Sequence, residues 1–293
     1  PIEESVHFNS FKKNKRDSFS YDPDNWTLEG IKDHQKYYCR KTFLGKEMDI
    51  MSANEKILVK KIFSGRRGPI VDFLTYDGAY LREFPDEEIT TMDLLKETSE
   101  YTKAAVDIFC PEKKDKISYR LFESGWEGKE EFETASVIYK LERLPDEAKR
   151  RVIKQGYKNL RKSGELVIVA RKSNLLLSFF FFTIKVLFGD ELRKTGIYNF
   201  FGPYKPIKAR QVIRIAKKAG FRSVKWSGYF VFPPFYEEVY QMFLQYIKSG
   251  GSSYLHRDRR VDIVSMLLAF IVKVQGFAKV GIFGSVAVIV CKK

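Results

Sequence analysis

Residues 132–173 read FETASVIYKLERLPDEAKRRVIKQGYKNLRKSGELVIVARKS, and their pattern decides the architecture. A short apolar run over 134–139 has the length and β-branched content of a buried strand. Pro145 then opens a charged amphipathic stretch, expected as a helix over 145–161. A Lys-Ser-Gly turn ending at Gly164 leads into a second apolar run over 165–170. Strand, helix and strand joined by short connections form the repeating unit of a parallel sheet covered by helices.

Outward from this unit the alternation continues. Further strands are expected at 70–74, 88–92, 117–122, 223–232 and 285–291. Helices are expected at 79–83, 96–109, 174–188 and 207–219, the last closed by Gly220 in IKARQVIRIAKKAG. Seven strands with interleaved helices make a doubly wound, Rossmann-like α/β fold. Before it, residues 1–64 read as an extended arm and a helical cap, with SGRRG (Ser64 to Gly68) as the linker into an α/β domain over 65–293. About fifty residues, 233–284, separate the last two strands and read as a structured helical insertion.

The chain has 293 residues and a formal net charge of +15. That balance suits an anionic partner such as nucleic acid, an acidic membrane surface or a phosphorylated substrate, or else a solvated basic surface. The basic residues run along the whole chain, and no nucleic-acid-binding motif accompanies them. Cys39, Cys110 and Cys291, and His7, His34 and His256, fit neither a disulfide framework nor metal-ligand spacing, so no metal is expected. The first residues show no signal-like segment, and the cytoplasm is the expected location. The longest apolar run, LLLSFFFFTIKVLF from Leu175 to Phe188, is shorter than the roughly 20 residues of a membrane-spanning helix. It is expected as a buried or interfacial helix, the latter allowing peripheral contact with a membrane.

Pro69 to Gly78, PIVDFLTYDG, has the layout of a cofactor-binding strand and turn: an apolar strand, an acidic residue (Asp72) and a turn reaching a glycine that opens a helix. Leu74 and Tyr76 stand where such turns usually carry glycine.

From Ile70 onward the order of strands and turns resembles the class I S-adenosylmethionine-dependent methyltransferases, over roughly residues 50–293. The fourth strand, its proline-containing exit loop, the long helix and the lysine-glycine turn carry the resemblance most strongly. The end of the chain, KKAGFRSVKWSGYFVFPP and later SVAVIVCKK, resembles the family's antiparallel sixth and seventh strands. The resemblance implies S-adenosylmethionine as cofactor, with Asp72, Leu74, Tyr76 and Gly78 at the first turn and Asp93 on the ribose hydroxyls. It further implies Glu123 and Ser124 near the adenine and Ile138 and Tyr139 along the methionine part. Asp93 reads equally well as the cap of the helix that follows it.

Methyl transfer from a sulfonium relies largely on positioning, so no nucleophile motif is required. His34, Tyr37, Tyr38, Glu142 and His256 are candidate bases without a spacing argument. Two functions stay open. One is a methyltransferase acting on a hydrophobic or anionic small-molecule or lipid acceptor. The other is a catalytically inactive scaffold or binding subunit of the same fold, using its basic surface for nucleic acid, lipid or a protein partner.

Overall fold

The computed structural model describes residues 53–76, 78–122, 130–175, 206–231 and 278–293, together with residues 178, 179, 182, 186, 267, 270, 271 and 274. Seven strands form one sheet: β1 (Ile70–Phe73), β2 (Ile89–Asp93), β3 (Ile117–Leu121), β4 (Phe132–Ile138), β5 (Leu160–Arg171), β6 (Ser223–Tyr229) and β7 (Val286–Lys292). Their order is β3-β2-β1-β4-β5-β7-β6. The first five are parallel, and β7 runs antiparallel between β5 and β6. This is the doubly wound sheet with an antiparallel end that the sequence implied.

Helices α1 (Ala53–Phe63), α2 (Lys96–Phe109), α3 (Asp146–Asn159) and α4 (Ala209–Ala219) accompany it. The side chains of β5 alternate between two packed layers, as a strand covered on both faces requires. Leu166, Ile168 and Ala170 belong to one cluster with Val152, Ile153, Val212 and Ala216 of α3 and α4. Val167 and Val169 belong to the other, with Leu58, Val59 and Phe63 of α1 and Val106 of α2. Gly220 ends α4 at φ 112°, as its position after the apolar period predicts.

The structure adjusts several boundaries. The helix expected over 79–83 is a single 3-10 turn, Leu81–Glu83. The Lys-Ser-Gly turn lies inside β5, which already pairs with β4 at Leu160 opposite Phe132. The next pair is Glu165 opposite Thr134, so the turn bulges out of the ladder, with Ser163 at φ 73°. β6 stops at Tyr229 because Phe230 turns to φ 55°. Residues 175, 178, 179, 182 and 186 are helical, in line with the helix expected over 174–188. Residues 267, 270, 271 and 274 of the insertion are also helical, and Gly281–Phe283 is a 3-10 turn. The arm and most of the cap, with His34, Tyr37 and Tyr38, and most of the insertion, with His256, lie outside the described residues.

Candidate functional site

β1 has β2 on one side and β4 on the other, so the chain reverses its winding direction at the carboxyl end of β1. In open α/β sheets a crevice forms at this switch point, and the side chains there come from the ends of β1, β2 and β4. In this chain they come from Asp72 to Tyr76, from Asp93, and from Ile138 to Glu142.

The turn after β1 follows a glycine-like path without the glycines. Leu74 and Tyr76 both lie at φ 61°, and Gly78 at φ 66°. The left-handed conformation disfavours a side-chain-bearing residue by roughly 1–2 kcal/mol. It persists here because surrounding bonds fix it. Leu74 N–H donates to Met92 O at 2.7 Å, stitching the turn to β2. Tyr76 N–H donates to Asp93 Oδ1 at 2.8 Å. The Thr102 hydroxyl, from α2, lies 2.8 Å from Tyr76 O and 3.3 Å from Asp93 Oδ2.

Asp93 is therefore neither open to a ligand nor a cap of α2. Its exposure is 0%. The N-cap of α2 is Leu95, without a side-chain bond, and the Asp93 carboxylate instead holds the neighbouring turn.

Tyr76, 1% exposed, places its ring in the core cluster that also holds Phe73, Leu74, Met92, Leu141 and Leu144. The buried Lys140, just after β4, sets its ammonium 4.7 Å from the centre of that ring. Nothing in the sequence marked Lys140, because a lysine after a strand usually faces water.

Asp72 is also buried. Its Oδ1 accepts from Ser136 Oγ at 2.6 Å, and its Oδ2 from Thr75 Oγ1 at 2.9 Å. Burial pushes its carboxyl up to about 7, against the opposing pull of the Ser136 and Thr75 hydroxyls. Ser136 and Thr75 could have been suspected only from their place beside Asp72 once the strand register was known.

Ile138 and Tyr139 stand at the end of β4, both buried. Tyr139, at φ 52°, belongs to an interior ionic group. Arg171, from the end of β5, donates from Nη2 to Glu55 Oε1 at 2.7 Å and from Nη1 to Glu142 Oε1 at 3.4 Å. Its guanidinium also lies 4.9 Å from the centre of the Tyr139 ring. Tyr80 OH donates to Glu55 Oε2 at 2.5 Å. Burial raises the Glu142 carboxyl, with Arg171 opposing, and raises the hydroxyls of Tyr80 and Tyr139 well above the usual tyrosine value. Among the described residues, Tyr139 OH and Glu142 Oε2 have no hydrogen-bond partner. Glu142, a candidate base by sequence, is thus one carboxylate of this ion cluster. Glu123 and Ser124 lie outside the described residues.

The structure places Asp72, Leu74, Tyr76, Gly78 and Asp93 together at the ends of β1 and β2, with Ile138 and Tyr139 alongside. In this arrangement they do not fit a nucleoside cofactor. The carboxylate expected on the ribose is enclosed by Tyr76 N–H and Thr102, and the Tyr76 ring is packed into the core beside it. Admitting such a ligand requires Tyr76 to move.

No family model matches the chain, nor does any curated protein sequence. Solved structures do. A S-adenosylmethionine-dependent methyltransferase of Thermotoga maritima aligns over 89% of this chain and 99% of its own at a TM-score of 0.53, with 13% identity. A phosphoethanolamine N-methyltransferase of Haemonchus contortus, solved with S-adenosyl-L-methionine, aligns over 82% of this chain and 52% of its own at 0.49, with 16% identity. A cyclopropane synthase of Mycobacterium tuberculosis aligns over 81% and 82% at 0.45, also with 16% identity. Strand order, the antiparallel end and the first of these alignments agree: the chain has the fold of the class I S-adenosylmethionine-dependent methyltransferases.

Proposed function

We propose that this chain is a methyltransferase-fold protein that works by binding a partner, with its cofactor crevice closed by its own side chains. The observation that carries this reading is the enclosure of Asp93. A carboxylate meant for vicinal hydroxyls has to offer acceptor sites to the crevice. Here it is fully buried between Tyr76 N–H and Thr102, and the Tyr76 ring is buried with it. The chain's excess of 52 lysines and arginines over 37 acidic residues favours an anionic partner.

A second reading, a methyltransferase that opens by displacing Tyr76, is favoured by the backbone. Leu74, Tyr76 and Gly78 keep the positive φ values of a glycine-rich cradle, and Asp93 keeps its place at the end of β2. In that reading the cofactor is S-adenosylmethionine and the acceptor is a small molecule or lipid.

Calorimetric titration with S-adenosylhomocysteine separates the two. The binding reading expects no heat with the natural chain at millimolar ligand, and binding in a Leu74→Gly, Tyr76→Gly double variant. Micromolar binding by the natural chain would establish the enzyme reading instead.

A further inference from the structure

We propose that the chain docks on the surface of an anionic lipid bilayer through an apolar face made by the helical residues of 175–186 and the turn Gly281–Phe283. Leu175, Phe179, Phe182 and Val186 are helical and between 63% and 85% exposed. Their spacing of four, three and four residues sets them along one side of a helix. A scattered exposed leucine needs no explanation, but four large apolar side chains in register on one exposed side do.

The turn beside them is equally apolar and is firmly held. Ile282 is 68% exposed and Phe283 67%. Val280 N–H donates to Gly228 O at 2.8 Å, and a Cβ at Gly228 would lie 1.8 Å from Gly281 O, so β6 carries glycine where the turn crosses it. Asn174, immediately before Leu175, donates from Nδ2 to Phe283 O at 2.9 Å and to Val231 O at 2.8 Å. Lys172 Nζ donates to Ile282 O at 2.7 Å. These bonds fix the protruding Ile282 and Phe283 next to the start of the helical stripe. Leu267, Phe270 and Val274, helical and between 52% and 65% exposed, form a second stripe in the chain that runs into the same turn.

Charge selects the occupant. Within the apolar run 175–189 the charged residue is Lys185, since Arg171 and Lys172 before it are buried and already bonded inside the fold. Within 263–284 the charged residues are Lys273 and Lys279, and Lys279 is exposed two residues before the turn. Both apolar segments thus carry basic charge alone, in a chain of net charge +15. Apolar side chains flanked by lysine suit the boundary between anionic headgroups and acyl chains. A second copy of the chain would bring like charges together, and a single-stranded nucleic acid, which can stack bases on the phenylalanines, would leave the aliphatic Leu175, Val186 and Ile282 in water. Among the described residues no helix is long and apolar enough to cross a membrane.

This inference names the partner class for the binding reading. It fails separately from that reading, because ligand titration reports on the crevice and vesicles report on this face. The test is co-sedimentation of the full chain with vesicles of phosphatidylcholine containing phosphatidylglycerol, and with phosphatidylcholine alone. Binding to the anionic vesicles that falls steeply with salt is expected, with weak binding to the neutral ones. A Phe182→Ser, Val186→Ser variant, whose melting curve should match the natural chain because both sites are exposed, is expected to bind at least about tenfold more weakly. Equal binding to both vesicle types, or binding unchanged by the double substitution, overturns the proposal. So does absence of vesicle binding with a light-scattering mass of two chains that the same substitutions halve, which would make the face a self-association surface.

Discussion

Tyr76 N–H donates to Asp93 Oδ1 at 2.8 Å, so the end of the second strand holds the turn that follows the first. A carboxylate that serves a ligand alone can be removed with little effect on the empty protein. One that anchors buried backbone cannot, because Tyr76 N–H would lose its acceptor. Asp93→Ala is therefore expected to destabilise the ligand-free chain by about 2–3 kcal/mol, the range for a buried hydrogen bond to a charged group. Urea unfolding without ligand checks this, and an unchanged midpoint would remove the anchoring role.

The Tyr76 ring gives a second expectation, of mixed sign. Replacing a buried tyrosine by glycine leaves a cavity worth roughly 3–5 kcal/mol in a rigid core. Relief of the left-handed backbone returns about 1–2 kcal/mol of that. Tyr76→Gly should thus fold, with a lower midpoint, and its loss should shrink when a nucleoside ligand fills the vacated volume. Thermal melts with and without S-adenosylhomocysteine read both parts.

Asp72 predicts a pH dependence. Its folded-state carboxyl sits near 7, raised by burial from an ordinary value of 3.8. A raised folded-state value means that folding favours the protonated acid. The associated stability is full below about pH 4 and is lost as pH rises through 7, with an upper bound of about 4 kcal/mol. The site accommodates the neutral acid: Ser136 Oγ lies 3.4 Å from Val71 O, and Thr75 Oγ1 lies 3.1 Å from Asp72 O, so both hydroxyl protons have other acceptors. Asp72→Asn is expected to flatten this part of the stability–pH curve. A curve identical to that of the natural chain would reject the assignment.

The layered fold was legible in the sequence because its strands are buried on both faces and read as apolar runs; β5 and β7 are clear cases. Boundaries failed where the signal was ambiguous. The Lys-Ser-Gly turn looks like the start of a strand, yet it bulges from one already begun at Leu160. Asp72, Asp93 and Gly78 could be placed at the strand ends because the family resemblance implies them there, although residue type alone left Asp93 equally readable as a helix cap. The closure of the crevice could not be read. It depends on Leu74 and Tyr76 holding φ values that their residue types disfavour, and only the register of β1, β2 and α2 shows how Met92, Asp93 and Thr102 keep them there. The Glu55–Arg171–Glu142 group was invisible for a related reason. Its members are 116 and 29 residues apart in the chain, and each alone resembles a surface charge.

Lys113 offers a local test of how the segment after the turn is supported. Its buried ammonium donates to Leu81 O at 3.1 Å, Arg82 O at 3.0 Å and Phe84 O at 2.5 Å, closing the carbonyl end of the 3-10 turn. Burial pulls its value below that of an ordinary lysine, so the three carbonyls hold a charge that the core disfavours. Lys113→Met keeps the aliphatic stem and strands the carbonyls. A loss of about 2–3 kcal/mol is expected, with increased amide exchange confined to the residues around 81–84.

Arg171 carries the largest expected effect. It stands between Glu55 and Glu142, both buried, and stacks on Tyr139. Arg171→Met conserves the volume but leaves two carboxylates facing each other in the core without a cation. Removing one partner of a buried ion group typically destabilises by about 3–5 kcal/mol. The sign of the pH effect follows from Glu142, whose carboxyl is already raised by burial and would rise further without Arg171. Folding then favours the protonated acid, so the deficit of the variant should shrink as pH falls toward the ordinary carboxylate range of about 4. Adding Glu142→Gln should recover part of the loss at neutral pH, since it removes one of the two opposed charges. Urea midpoints of the single and double variants at acid and neutral pH measure both. A deficit that is the same at either pH, and that the glutamine does not relieve, would mean that Arg171 acts by packing on Tyr139 and not by charge.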